Sequence, residues 1–251
     1  MNARLRKAVF VSTLIASTGF SPGVNATLLV AATVNGLNVC AADENPVCSF
    51  GTPIQDFPPF IEGILFLGPS PSITIGGLEF LGFPATSIIG PPGNALATNA
   101  SVRNPTSAPI TAQIAVSAIG FTAPVSMHET IGVGTWVLGD KSSVIWTWFV
   151  EPANEQGAET PTDRPGIAVD DFTHIASVPF EGFSHFGSDS AAILDPYSMT
   201  LAMDLTLAPG DRLDFRQEIR ALVGAAIPEP GSLALLGLGL AALGLFRRER
   251  P

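Results

Sequence analysis

From Tyr197 to Leu222 the chain is written with a period of two. In YSMTLAMDLTL, Tyr197, Met199, Leu201, Met203, Leu205 and Leu207 take every second position, and Ser198, Thr200, Ala202, Asp204 and Thr206 lie between them. After a turn at Pro209-Gly210, Leu213, Phe215, Ile219 and Ala221 fall on one side, and Asp214, Arg216, Glu218 and Arg220 on the other. Successive side chains of a strand point to opposite faces, so this pattern predicts two strands with one buried and one wetted face; a helix would scatter the same residues around its axis.

The same period recurs upstream. PITAQIAVSAIG places Ile110, Ala112, Ile114, Val116 and Ala118 on one face and Thr111, Gln113 and Ser117 on the other. In SSVIWTWFV both faces are apolar, which predicts a central strand covered on two sides. LLVAATV and LNVCAA flank Asn35-Gly36, a dipeptide that accepts the positive φ angles of a type I′ hairpin turn. About ten to twelve strands are predicted before Ala226, with no amphipathic helix and no internal repeat. The expectation is an all-β antiparallel β-sandwich, for which a jelly-roll order is one arrangement. The polar, acidic segment from Glu151 to Gly166 is the stretch expected to be least ordered, being long for a loop inside a compact domain.

The ends of the chain have a different character. At the start, Arg4, Arg6 and Lys7 precede an apolar run from Ala8 to about Phe20, and Val24-Asn25-Ala26 follows with small residues at −3 and −1. This is the layout of a secretory signal peptide with cleavage after Ala26; the run is too short to span a bilayer. Residues 1–26 are thus a signal peptide, 27–226 an extracytoplasmic domain, and 227–251 a separate C-terminal segment. The middle part carries six basic residues against twenty acidic ones. Such a surface repels phosphate backbones, which argues against nucleic acid as a partner. The two cysteines, Cys40 and Cys48, lie close together in an exported chain and are expected to form a disulfide, worth roughly 2–3 kcal/mol by loop closure.

No catalytic constellation stands out. His128, His174 and His185 match neither HExxH nor HxH spacing and read as unrelated residues. GFSHFG, from Gly182 to Gly187, has Phe186 where a nucleophile elbow needs glycine, and no α/β sheet surrounds it. Asp170 and Asp171 would point to opposite faces of a strand, and Asp189 and Asp195 lie in no Ca²⁺-loop pattern. Trp136, Trp146 and Trp148 read first as core, with stacking on sugar rings as the alternative. GLGLAA, from Gly237 to Ala242, matches GxGxxA in form but lacks the βαβ context of a dinucleotide site. No metal ligands and no cofactor are assigned.

The C-terminal segment carries the most specific signal. Pro228-Glu229-Pro230 is followed by the uncharged run Gly231–Phe246 and then by Arg247, Arg248 and Arg250. As a helix, residues 231–246 would be roughly 24 Å long, slightly short of a ~30 Å hydrocarbon core, and would form a single transmembrane span with local thinning. The arginines act as stop-transfer charges that keep the C-terminus cytoplasmic and the preceding domain outside. The two prolines hold Ile227–Pro230 extended, as a protease or transpeptidase cleft requires. This order of parts resembles the PEP-CTERM sorting signal of Gram-negative bacteria, with Glu249 and Pro251 as departures from its basic end. The resemblance implies that Pro228, Glu229 and Pro230 are recognised by exosortase, a membrane enzyme that processes the tail near the triplet. The protein is then released to, or attached at, the cell surface, often in bacteria that make extracellular polysaccharide.

Two functions follow as expectations. The first is a noncatalytic cell-surface or extracellular-matrix protein, adhesive or associated with polysaccharide. The second is a secreted hydrolase acting on polysaccharide, which would need two facing carboxylates.

Overall fold

The structure is a computed structural model that describes residues 27–43, 50–54, 64–66, 72–82, 84–88, 93–122, 125–139, 141–190, 192–194 and 196–222. The signal peptide, Cys48, Asp195, the proposed transmembrane segment 231–246, and the Pro228–Pro230 and Arg247–Arg250 signals lie outside these residues. Among the described residues no helix is long and apolar enough to cross a membrane.

Every regular element described is a strand. Seven come early: β1 (Leu28–Val34), β2 (Leu37–Ala42), β3 (Thr52–Pro53), β4 (Ile64–Phe66), β5 (Ile73–Ile75), β6 (Leu78–Phe80) and β7 (Pro84–Ile88). Eight longer ones follow: β8 (Gly93–Arg103), β9 (Ile110–Phe121), β10 (Met127–Val137), β11 (Ser143–Glu151), β12 (Ile167–Ile175), β13 (Gly182–Asp189), β14 (Tyr197–Leu207) and β15 (Arg212–Leu222). The first sheet runs β12-β11-β14-β9-β1-β2-β3, and the second runs β13-β10-β15-β8-β6-β5, with β7 also on β8 and β4 on β7. All pairings are antiparallel except β2 with β3. Counted from one to eight, strands β8–β15 stand 5-4-7-2 in the first sheet and 6-3-8-1 in the second. That is the order of a jelly roll, in which two Greek keys interlock.

The alternation sets which face is buried. Tyr197, Met199, Leu201, Met203, Leu205 and Leu207 of β14 all point into the core, as do Leu213, Phe215, Ile219 and Ala221 of β15. Each large side chain so buried contributes roughly 1.5–3 kcal/mol relative to exposure. The β1–β2 hairpin forms on Asn35 (φ 47°) and Gly36 (φ 80°), the two positive angles that a type I′ turn requires.

Three expectations are corrected. β11 is not a central strand covered on both faces: it lies second from the sheet edge, and Ile145 on its outer face is 41% exposed. Only Val144, Trp146, Trp148 and Val150 are core residues, because the second sheet covers just one side. Among the described residues the strands number fifteen, since the two- and three-residue strands carry too few residues to show a period. The segment after Glu151 is pinned in place rather than loosely held. Asn154 Oδ1 accepts from Gly120 N–H at 2.7 Å, Glu155 O accepts from the Ser198 hydroxyl at 2.6 Å, and Ser117 Oγ accepts from Gly157 N–H at 3.1 Å.

Candidate functional site

Two regions concentrate polar side chains, and both are built from β11 and its neighbours. The first lies on the outer face of the first sheet. Register places Thr33 of β1, Gln113 of β9, Asp204 of β14 and Ile145 of β11 side by side in one outward row. Two residues along each strand, Thr111, Thr206 and Ser143 form a second row. With the Asn35-Gly36 turn at one side, these residues line a groove of about 420 Å³, within the range of small-ligand sites.

The pinned segment 152–166 lies beside this groove and is joined to it at Asp204. It crosses the outer face over Ser117 and Thr200, whose hydroxyls are bonded to each other at 3.0 Å. Ala115 and Ala202, in the next outward row, are consequently buried although they face away from the core. The segment is tied down at its far end by Arg164, which donates from both terminal nitrogens to Asp204 at 3.0 and 2.9 Å. Gln113 Nε2 donates to the same carboxylate at 3.0 Å. Asp204, the one carboxylate among the lining residues, is thus fixed in place and its charge is matched. A bidentate Arg–carboxylate pair has the geometry that makes such contacts rigid. Asn35 is also committed, donating to Gly76 O at 3.0 Å. Thr111, Ser143 and Thr206 make no side-chain hydrogen bond among the described residues, so the groove floor keeps hydroxyls available.

The second region closes the sandwich where β12 ends one sheet and β13 ends the other. Both strands carry Phe-x-His: Phe172-Thr173-His174 and Phe183-Ser184-His185. A short link, residues 176–181, turns the chain from one sheet to the other, so the two motifs meet reciprocally between the sheets. His174 stacks on Phe183 with ring centres 4.0 Å apart, and His185 stacks on Phe172 at 4.7 Å. Trp146 lies 5.3 Å from Phe183, and Trp148 lies 5.6 Å from His185. His185 Nε2 is 2.7 Å from Asp170 Oδ2, which also accepts from the Thr130 hydroxyl. His174 Nε2 lies 3.3 Å from Glu181 Oε1 without the alignment of a hydrogen bond. The Ser177 N–H is the main cause holding the Glu181 carboxyl below the usual range, against partial burial.

Glycines make this packing possible. A Cβ at Gly132 would overlap the Trp146 ring, one at Gly134 the Phe183 ring, and one at Gly187 the Asp170 carboxylate. Deeper on β10, His128 is fully buried with neither ring nitrogen bonded. Burial pushes its pKa down, against an opposing pull from Asp189.

The sequence-predicted residues fall out as follows. Asp170 faces inward and Asp171 outward, as strand geometry requires. Ser184 sits mid-strand on the exposed face of β13. Trp136, Trp146 and Trp148 are all fully buried, which assigns them to the core and removes them from sugar stacking. Reading the histidines as unrelated is corrected for His174 and His185: the sheet-to-sheet crossover joins them, and the repeated Phe-x-His was the signal for it. Among the described residues no group of three or more His, Cys, Asp or Glu is placed to hold a metal ion. Cys40 is buried on β2, and its expected partner Cys48 lies outside the described residues.

Comparison with known proteins adds an identification at the C-terminus. The model of the PEP-CTERM protein-sorting motif matches residues 226–248. No curated protein matches the chain. Solved structures with a similar arrangement include TmCBM61 in complex with β-1,4-galactotriose, at 8% identity over 64% of this chain and 82% of that one, with a TM-score of 0.29. The enzymatically active domain of bacteriophage CBA120 tailspike protein 4 is 11% identical over 60% of this chain and 20% of that one, with a TM-score of 0.30. The CBM22-1 xylan-binding domain of Paenibacillus barcinonensis Xyn10C is 15% identical over 61% and 87%, with a TM-score of 0.28. At these scores the likenesses bear on neither ligand nor activity. The sorting motif does bear on destination, implying export, processing at a membrane and a place at the cell surface or outside it, and by that motif the chain is a PEP-CTERM domain-containing protein.

Proposed function

We propose that this is a noncatalytic protein of the cell surface or extracellular matrix, processed by exosortase near the Pro228–Pro230 triplet and associated with extracellular polysaccharide. The observation that carries the reading is the sorting motif at residues 226–248, directly behind a domain whose last described strand ends at Leu222. The groove supports it, because its lining combines the hydroxyls of Thr33, Thr111, Ser143 and Thr206 and the amides of Asn35 and Gln113 with apolar surface, a mixture suited to hydroxyl-rich ligands. For a glycosidase the groove offers one carboxylate, already bound by Arg164, where two facing ones are needed.

In this reading the mature chain begins near Thr27, ends near the Pro-Glu-Pro triplet, and carries Cys40 paired with Cys48. Before processing, residues 231–246 span the inner membrane and Arg247, Arg248 and Arg250 hold the tail inside. Mass spectrometry of the protein from the surface fraction tests these points together, with thiol alkylation before and after reduction. An intact tail in exosortase-competent cells refutes the processing, and alkylation without reduction refutes the disulfide. Equal matrix composition and polysaccharide retention in cells with and without the gene refutes the polysaccharide role.

A further inference from the structure

The geometry points to the outer groove of the first sheet as a site for a neutral oligosaccharide segment lying across strands β1, β9, β14 and β11. This rests on the polysaccharide reading above and assigns it a place and a chemical class.

Charge decides the class. The whole chain carries a formal net charge of −10, so an anionic glycan approaches against a repulsive field. It would find no spare cation in the groove, because Arg164 already gives both terminal nitrogens to Asp204. A cationic ligand fares no better, since Asp204 is the single lining carboxylate and is held by Arg164 and Gln113. What remains is neutral: the hydroxyls of Thr111, Ser143 and Thr206, and the Gln113 amide, which gives one N–H to Asp204 and keeps its oxygen and second N–H. Hydroxyls both donate and accept, which matches the mixed pattern of a sugar ring. Ile145, 41% exposed in the same row, supplies the apolar surface that a ring's C–H face needs.

Shape decides the length. The four strands sit at successive spacings of about 4.8 Å, so the row from Thr33 to Ile145 spans roughly 14 Å. That suits several linked rings better than one. The Asn35-Gly36 turn that lines the groove and the carboxylate of Asp204 in it are both fixed by hydrogen bonds, so little ordering cost falls on the protein when a ligand binds.

The test uses the mature protein recovered from cells, titrated calorimetrically with neutral gluco-, galacto-, xylo- and manno-hexasaccharides, with a hexauronate, and with polysaccharide extracted from the producing cells. Binding of at least one neutral hexasaccharide is expected, with little change on adding salt. Gln113→Ala should weaken it about tenfold, the worth of one well-made hydrogen bond. Thr206→Trp should abolish it by filling the groove, and Ser184→Trp on the opposite outer face should leave it unchanged. Thermal unfolding of each variant checks that it folds, and Gln113→Ala keeps the test decisive if Thr206→Trp does not. Equal binding by parent and groove variants overturns the groove while polysaccharide association stands. Binding of the hexauronate alone, or binding lost in salt, overturns the neutral class. Failure to bind any probe, extracted polysaccharide included, overturns this inference and the reading beneath it.

Discussion

The groove on the outer sheet face and the seam between β12 and β13 hold similar numbers of polar side chains and treat them oppositely. In the seam, histidines and carboxylates are turned inward and spent on one another: His185 on Asp170, His174 beside Glu181, both rings stacked on phenylalanine. In the groove, the one charged group is locked to Arg164, and the hydroxyls of Thr111, Ser143 and Thr206 are left uncommitted. The difference teaches that titratable chemistry in this protein serves closure of the sandwich. Apart from Asp204, the groove is lined by residues that do not titrate.

If that division is right, the two regions should respond differently to substitution. The largest effect is expected at Gly134. An added methyl must displace the Phe183 ring, which is packed against Trp136, Trp146 and His174, so those stacked rings must shift with it. Gly134→Ala should therefore cost about 1–3 kcal/mol in denaturant unfolding, the usual penalty for overpacking. An unchanged midpoint would mean that the seam is loosely packed and the contrast is false.

A smaller, pH-dependent effect is expected at His128. Its folded pKa is depressed by burial, so the neutral ring is favoured in the fold while the unfolded chain takes up a proton near its ordinary value of about 6.5. Stability is then complete above that value and declines as pH falls through it toward the folded pKa. His128→Leu should flatten the slope below about pH 6.5, read from unfolding midpoints across the acid range. A slope identical in parent and variant would remove His128 as its source. The smallest effect belongs to the groove. Gln113→Ala should shift stability by less than about 0.5 kcal/mol while weakening ligand binding, which sharpens the separation of the two regions.

Much of the fold was legible because sheet burial leaves a period of two in the chain, and β14 and β15 show it without interruption. Asn35-Gly36 announced its hairpin because few other dipeptides accept two positive φ angles. The groove was only half visible. Thr111 and Gln113, and Asp204 and Thr206, read as polar faces of their own strands, but Gln113 meets Asp204 from 91 positions away, and that adjacency belongs to strand order. β11 misled for a related reason: Ile145 and Phe149 suggest a second buried face, while what decides burial is whether another layer lies there. The seam escaped notice because each Phe-x-His has little meaning alone. Their reciprocity depends on a crossover that a single sequence does not display.

The position of β15 sets the timing of assembly during export. This strand does not sit at an edge. It lies between β10 and β8, pairing with both along its whole length from Arg212 to Leu222. The second sheet therefore stays split until the last stretch before the sorting motif has emerged, and the pairing of β15 with β8 joins residues more than a hundred positions apart. Pairings of such long range are slow to form. The domain completes itself last at the end that adjoins the sorting motif, so closure of the sandwich and arrival of that motif are nearly simultaneous events. A chain arrested short of residue 212 would present two open strand edges, on β8 and β10, to whatever waits outside.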